Sequence, residues 1–130
     1  MNLFRKSPPL PRKLLVVEDD AVLLKAYRAL GKRYSMEIVE TPRAIDAFRL
    51  ALIDRPDLIV LDLKLEDGES LRLLQSLRAS PETRETPVLV VSGHLSQDMS
   101  RRCQEAGATD VLPKPWTVDE LLSRLSAHAA

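Results

Sequence analysis

Three segments of the sequence are almost continuously aliphatic, and they constrain the fold more than any other feature does. They lie within residues 13–18 (KLLVVE), 57–62 (DLIVLD) and 86–92 (TPVLVVS). A strand with one face in solvent alternates apolar and polar side chains, whereas a strand covered on both faces is apolar throughout. These segments therefore predict a parallel sheet that lies between two layers of helices.

Shorter β-type segments and helical patterns complete a regular alternation along the chain. The additional strands are predicted at residues 36–40 and 109–113. Apolar residues at helical spacing predict helices at 20–33, after Thr41-Pro42, at 69–79, at 96–106 and after the Thr117/Glu120 capping box. Five strand–helix pairs with short connections predict a doubly wound α/β domain.

The start of the second helix is predicted from individual residues. Thr41-Pro42 is typical of an N-cap residue followed by proline at the first helical position. Ile45, Phe48 and Leu52 then form one apolar stripe at helical spacing. The sequence therefore predicts a second helix that begins at Pro42.

Composition limits the classes of function. The 130 residues include 45% apolar residues, which indicates a single globular domain with a proper core. Lys plus Arg and Asp plus Glu both number 19, so no net charge attracts nucleic acid or an anionic membrane. Neither nucleic-acid binding nor membrane insertion is therefore expected. The single cysteine, Cys103, lies on an apolar stripe and suits a reducing cytoplasm, where we expect the protein to lie.

The N-terminal segment, residues 1–12, differs from the rest of the chain. It is basic and contains three prolines, and it lacks the apolar core of a secretory signal. We therefore expect residues 1–12 to form a flexible or extended arm, and residues 13–128 to form the folded domain.

Polar side chains converge where the predicted strands end. Residues 18–20 (EDD) follow the first strand, Asp62 ends the third, Ser92 ends the fourth, and Lys114 follows the fifth. Each alone is an ordinary turn or capping residue, but ligands of open α/β sheets bind at this edge. Gathered carboxylates raise one another's pKa unless a cation holds them, and Mg²⁺ prefers such oxygen ligands. This combination indicates phosphoryl transfer to Asp62, with Lys114 and Ser92 holding phosphoryl oxygens.

At these positions the sequence resembles the receiver domain of bacterial two-component response regulators. The matching motifs are LLVVEDD, DLIVLDLKLEDG, VLVVSG and GATDVLPKPW, in the order and at the separations of that family. The resemblance extends from about Lys13 to His128. It implies a flavodoxin-like (βα)5 fold whose five parallel strands are arranged in the order 2-1-3-4-5.

The resemblance also implies a role for each site residue. Glu18 and Asp19 would hold Mg²⁺, or Mn²⁺ in its place. Asp62 would accept a phosphoryl group and also contact the metal. The backbone carbonyl of Lys64 would complete the protein ligands.

The same resemblance implies how the phosphoryl group is held and passed on. Ser92 would be the switch hydroxyl and Lys114 the phosphate-binding lysine, with a cis Lys114–Pro115 bond. The phosphoryl donor would be a histidine kinase or a phosphotransfer protein. Phosphorylation would control binding to a downstream protein or the formation of a dimer. The chain would thus be a signalling phosphoacceptor that takes part in its own phosphorylation and dephosphorylation, and not an enzyme with a separate substrate.

Some positions depart from the usual pattern of the family. Val111 replaces the aromatic residue that usually turns inward on activation. Ser70 and Glu66 replace a frequent glycine and a frequent proline. His94 and Lys64 are expected to border the phosphorylation site and to hinder the approach of hydrolytic water.

Other functions remain alternatives at this level. A phosphohydrolase of the haloacid-dehalogenase type normally has a second aspartate two residues after the nucleophile, where this chain has Lys64. A dinucleotide-binding enzyme needs a glycine-rich turn after the first strand, where this chain has EDD. A pseudo-receiver, which keeps the fold as a docking module without being phosphorylated, is the alternative that remains open.

Overall fold

Five parallel strands form a single sheet in the structure, a computed structural model that describes residues 9–129. The strands are β1 (Lys13–Val17), β2 (Glu37–Thr41), β3 (Leu58–Asp62), β4 (Val88–Ser92) and β5 (Asp110–Pro113). The helices are α1 (Ala21–Tyr34), α2 (Ala44–Asp54), α3 (Ser70–Ala79), α4 (Gln97–Ala106) and α5 (Val118–His128). The sheet order is β2-β1-β3-β4-β5, which confirms the predicted flavodoxin-like doubly wound topology.

Both faces of the sheet are covered, as the aliphatic runs predict. Alternate residues of β1 point to opposite sides, so Leu15 and Val17 belong to one core and Leu14 and Val16 to the other. Helices α2, α3 and α4 cover the first core, and α1 and α5 cover the second. Cys103 of α4 is fully buried in the first core, as predicted.

Side-chain caps fix where several helices begin. The Asp20 carboxylate accepts hydrogen bonds from the backbone N–H groups of Val22 and Leu23, at 2.8 and 3.3 Å, and so caps α1. The predicted capping box of α5 is present, with reciprocal bonds between Thr117 and Glu120 at 3.0 and 3.1 Å. These caps set the direction in which the chain leaves β1 and β5.

The predicted start of the second helix is wrong. Thr41 is the last residue of β2, where it pairs with Val17, and α2 begins three residues later at Ala44. The Thr41 hydroxyl instead accepts a hydrogen bond from the N–H of Arg43, at 3.3 Å, within the connecting turn. Pairing in the sheet therefore outweighs the local capping signal.

The apolar stripe predicted for α2 is not the face that covers the sheet. The buried residues are Ala44, Ala47 and Ala51, while Ile45 is 61% exposed. Phe48 packs against the edge of the core and is only partly buried. The small alanines allow the helix backbone to lie close to the strands, and the larger side chains therefore point away from them.

The chain enters the sheet through residues 9–12. Pro11 is buried, and the Arg12 carbonyl accepts a hydrogen bond from the N–H of Glu37 at 2.7 Å. Residues 1–8 of the predicted arm lie outside the described residues. Within residues 9–129, no helix combines the length and the apolar composition that a membrane span requires.

Candidate functional site

Three carboxylates meet at the carboxyl edge of the sheet. Glu18 and Asp19 follow β1, and Asp62 is the last residue of the adjacent strand β3. Each contributes an oxygen that lies within 4.8 Å of the others. Glu18 is 1% exposed and Asp62 is 5% exposed, so two of the three charges are almost fully removed from water. The predicted convergence of these acids is therefore present.

The Glu18 carboxylate is held in place by its own segment of backbone. One oxygen, Oε2, accepts hydrogen bonds from the N–H groups of Asp19 and Asp20, at 3.1 and 3.2 Å. Burial raises the pKa of Glu18, and the charge of Asp62 raises it further, whereas a hydrogen bond from Lys114 opposes both effects. An additional cation would therefore be stabilised beside Glu18.

Lys114 supplies the positive charge that the site contains. Its Nζ lies 2.8 Å from Glu18 Oε1 and 3.2 Å from Asp62 Oδ2. Burial by itself would lower the pKa of Lys114, but its bonds to the two carboxylates outweigh burial and raise that pKa. The ammonium therefore stays charged. The Lys114–Pro115 bond is cis, as predicted.

Ser92 lies at the end of β4 and is fully buried. Its hydroxyl oxygen accepts a hydrogen bond from the N–H of His94 at 3.2 Å, and its carbonyl accepts one from the N–H of Lys114 at 2.8 Å. The structure therefore connects the two predicted phosphoryl-binding residues through the backbone.

Lys64 contacts Asp62 through its amide. Its N–H donates to Asp62 Oδ1 at 3.0 Å, and its side chain is exposed. The role of its carbonyl as a metal ligand remains a prediction. The side chains of Lys64 and His94 also line one depression of about 190 Å³, together with Leu63 and Met99.

Two contacts that hold the site were not predicted from the sequence. The Ser70 hydroxyl, buried at the start of α3, donates to the carbonyl of Asp62 at 2.7 Å. The N–H of Glu66 donates to Asp19 Oδ2 at 3.1 Å and ties the β3–α3 loop to the β1–α1 loop. The only sequence signal for the first contact was a small polar residue on the apolar face of a helix.

This donor set suits a divalent cation of the size of magnesium. Three carboxylate oxygens, at most 4.8 Å apart, converge from the carboxyl ends of β1 and β3, and the charges of Glu18 and Asp62 exceed the single charge of Lys114. Mg²⁺ binds through one or two carboxylates together with water and other oxygen ligands. The acidic cluster therefore offers the ligands of a divalent metal site next to a lysine and a buried hydroxyl.

Comparison with known proteins gives the family. A model of the response regulator receiver domain matches residues 14–126. The chain belongs to this family. Its five strands in the order β2-β1-β3-β4-β5, with five helices, have the fold of a receiver domain.

Individual relatives agree with this assignment. The receiver domain is 26% identical to the polar-differentiation response regulator DivK from Brucella anthropi, over 92% of this chain and 97% of DivK. It is 36% identical to the response regulator MprA from Mycolicibacterium vanbaalenii, over 91% of this chain. The chain spans about half the length of MprA, since the match covers 50% of that protein.

A solved structure adds a chemical detail about one relative. It is the receiver domain of a sensor histidine kinase from Pseudomonas aeruginosa PAO1, with a magnesium ion coordinated in its active-site cleft. This chain superimposes on it with a TM-score of 0.80 and 28% sequence identity, over 91% of this chain and 97% of the other.

Proposed function

We propose that this receiver domain accepts a phosphoryl group on Asp62 from a phosphohistidine of a histidine kinase or phosphotransfer protein. The observation that carries the proposal is the environment of the Asp62 carboxylate. It is 5% exposed, lies 3.2 Å from the Lys114 ammonium, and shares an acidic cluster with Glu18 and Asp19. A strand-end carboxylate beside a fixed cation and a metal-ligand set matches the requirements of aspartyl phosphate formation.

The transfer itself requires one bond to form and one to break. An Asp62 carboxylate oxygen attacks phosphorus, the P–O bond forms, and the P–N bond to the donor's imidazole breaks. The leaving imidazole takes up a proton, and the product is an acyl phosphate on Asp62. The Lys114 ammonium, which already contacts Asp62, stabilises the charge on the phosphoryl oxygens, and the Ser92 hydroxyl donates to another of them.

A divalent cation completes the proposed site. Glu18, Asp19, Asp62 and the backbone carbonyl of Lys64 would hold Mg²⁺, or Mn²⁺ in its place. The ion would supply charge neutralisation between the carboxylates and the phosphoryl oxygens. The magnesium-containing receiver domain from Pseudomonas aeruginosa supports this choice, as does the cluster of three carboxylates.

We further propose that phosphorylation changes the conformation of the domain and so controls its binding to a downstream protein. A dimer that forms on phosphorylation is one form that this control can take. In this proposal the chain is a phosphoacceptor that takes part in its own phosphorylation and dephosphorylation, and it has no separate substrate. The buried thiol of Cys103 and the absence of disulfides among residues 9–129 fit a cytoplasmic protein.

Incubation with Mg²⁺ and a small acyl phosphate, followed by intact-mass measurement, tests the proposal. We expect the wild type to gain one phosphoryl group and Asp62→Asn to gain none. The matched control is Asp57→Asn, which changes an aspartate at the opposite end of β3. Glu18→Ala and Asp19→Ala should weaken Mg²⁺ binding and slow the reaction. Undiminished phosphorylation of Asp62→Asn would show that Asp62 is not the acceptor.

The alternative function, a docking module that is not phosphorylated, makes the opposite prediction. Its wild-type mass would not change with either acyl phosphate or a phosphorylated histidine kinase, at any Mg²⁺ concentration. The same experiment therefore distinguishes the two functions.

A further inference from the structure

The second helix is capped by a carboxylate from another loop. Arg43 is the N-cap residue of α2, and within the described part of the chain its side chain makes no capping hydrogen bond. Asp67, in the loop between β3 and α3, supplies the cap instead, since its Oδ2 accepts from the N–H of Ile45 at 3.1 Å. The first turn of a helix has free N–H groups and a partial positive charge, which stabilise an anion there. The β3–α3 loop is therefore attached to α2.

The same carboxylate also fixes the shape of its own loop. Asp67 Oδ1 accepts from the N–H of Glu69 at 3.2 Å, and the N–H of Gly68 donates to the carbonyl of Leu65 at 3.0 Å. Gly68 has a φ of 66°, which glycine adopts without steric cost. Leu65 is buried in the core that α2 and α3 cover. The turn is thus held at both ends, by Leu65 in the core and by Asp67 on α2.

This turn carries the amide that holds a proposed metal ligand. The N–H of Glu66 donates to Asp19 Oδ2 at 3.1 Å, and Asp19 is one of the three carboxylates of the acidic cluster. The side chain of Glu66 is exposed, so the contact is made by the backbone alone. The position of this N–H therefore depends on the path of the loop and on the residues that anchor it, Leu65 and Asp67.

We propose that Asp67 is a positioning residue for the divalent cation: its two hydrogen bonds hold the β3–α3 loop so that the Glu66 N–H orients the Asp19 carboxylate toward the metal. Mg²⁺ demands near-ideal octahedral geometry, so its affinity depends on how well each ligand is oriented. The loop also carries Lys64, whose backbone carbonyl is a further proposed ligand. In this role Asp67 acts through its neighbours and does not bind the ion. The inference rests on the metal site of the proposed function.

Titration of the isotope-labelled protein with Mg²⁺ alone, followed by NMR of the backbone amides, tests this role. Removal of a group that orients a metal ligand typically weakens metal binding by about 10- to 100-fold. We expect Asp67→Ala to bind Mg²⁺ about tenfold more weakly than the wild type. Its Glu66 amide resonance should differ from that of the wild type before Mg²⁺ is added, because the contact with Asp19 is no longer fixed. Asp67→Asn keeps one of the two acceptor oxygens and should recover part of the affinity.

The matched control is Ser96→Ala, which removes the side-chain cap of another helix. The Ser96 hydroxyl accepts from the N–H of Met99 at 3.0 Å, at the start of α4. We expect this variant to lose stability in urea, as Asp67→Ala does, but to bind Mg²⁺ as the wild type does. Wild-type affinity in Asp67→Ala would overturn the inference. An equal loss of affinity in both variants would also overturn it, because the effect would then follow from any lost helix cap.

These outcomes can be told apart from those that test phosphorylation. If the wild type binds Mg²⁺ but gains no phosphoryl group from acyl phosphate, the proposed function fails and the weaker Mg²⁺ binding of Asp67→Ala still supports the inference. If the wild type is phosphorylated and Asp67→Ala binds Mg²⁺ normally, the inference alone fails. If the wild type does not bind Mg²⁺, both fail.

Discussion

The Nζ atom of Lys114 lies 2.8 Å from Glu18 Oε1, although the two residues are 96 positions apart in the chain. The same ammonium lies 3.2 Å from Asp62 Oδ2, so one cation holds two buried carboxylates at the edge of the sheet. Lys114 therefore has a structural role that does not depend on phosphorylation. It offsets the repulsion between the strand ends of β1 and β3, and it fixes the loop after β5 against them.

Removal of this ammonium should make the protein depend on a divalent cation. Lys114→Ala leaves Glu18 and Asp62 as buried like charges, and we expect a loss of about 3 kcal/mol in the free energy of unfolding without Mg²⁺. Added Mg²⁺ should raise the free energy of unfolding of this variant more than that of the wild type. Urea denaturation with and without Mg²⁺ measures both effects. Lys25→Ala, at an exposed position of α1, is the control; an equal Mg²⁺ effect in all three proteins would contradict the prediction.

The lifetime of the phosphorylated form should depend on Lys64 and His94. Both side chains line the depression of about 190 Å³ next to the β3–α3 loop, where they can hinder the in-line approach of water. Replacement of both with alanine should shorten the half-life several-fold, measured as loss of the acyl phosphate by intact mass. An unchanged or longer half-life would show that they do not shield the site.

Val111 should contribute little to the switch. Its side chain is half-buried against the core that contains Cys103, and a β-branched residue has few rotamers available. We expect phosphorylation to shift the β4–α4 loop and α4 more than this side chain. Titration of the cognate kinase with Val111→Ala should give nearly the wild-type ratio of affinities for the phosphorylated and unphosphorylated forms. Loss of that ratio would place Val111 in the switch.

Arg78 should be a major source of stability at the edge of the sheet opposite the site. Its guanidinium donates five hydrogen bonds, at 2.7 to 3.4 Å, to acceptors in two loops. These acceptors are the carbonyls of Thr83, Arg84, Thr86 and Gly107 and the hydroxyl of Thr109. Arg78→Ala should cost about 3 kcal/mol of unfolding free energy in urea, because several of these groups lose their partner. Arg72→Ala, exposed on the same helix, should cost much less, and equal losses would refute this role.

Stability in acid should depend on Asp110. Burial by itself would raise its pKa, but hydrogen bonds from His128 and from the N–H of Val111, together with the charge of Arg124, lower the pKa below its ordinary value of 3.8. The carboxylate therefore contributes stability that is complete above that value and is lost as the pH falls through the folded-state pKa.

Asp110→Asn tests this dependence. The variant should be less stable than the wild type at pH 7, and its unfolding free energy should fall less steeply between about pH 5 and pH 2. Urea denaturation across that range measures the difference. Asp98→Asn, at an exposed position of α4, should keep the wild-type slope, and an identical slope in all three proteins would exclude Asp110 as the source.

Much of the fold was predictable because it depends on local pattern. The aliphatic runs predicted strands that are covered on both faces. The helical pattern at 20–33 predicted α1, and the Thr117/Glu120 capping box predicted where α5 begins. Parallel strands place their carboxyl ends at one edge, so the sequence also predicted that Glu18 and Asp62 would meet.

What the sequence by itself determined is therefore the set of elements and the type of residue at each strand end. The tertiary structure decided which face of α2 packs on the sheet, because space between layers selected Ala47 and left Ile45 exposed. It also decided the partners of Lys114 and Ser70, and among residues 9–129 it left the Tyr27 hydroxyl without one. These contacts join residues of separate elements that lie close in space. The pattern of apolar and polar residues along the chain does not specify which distant side chains come into contact.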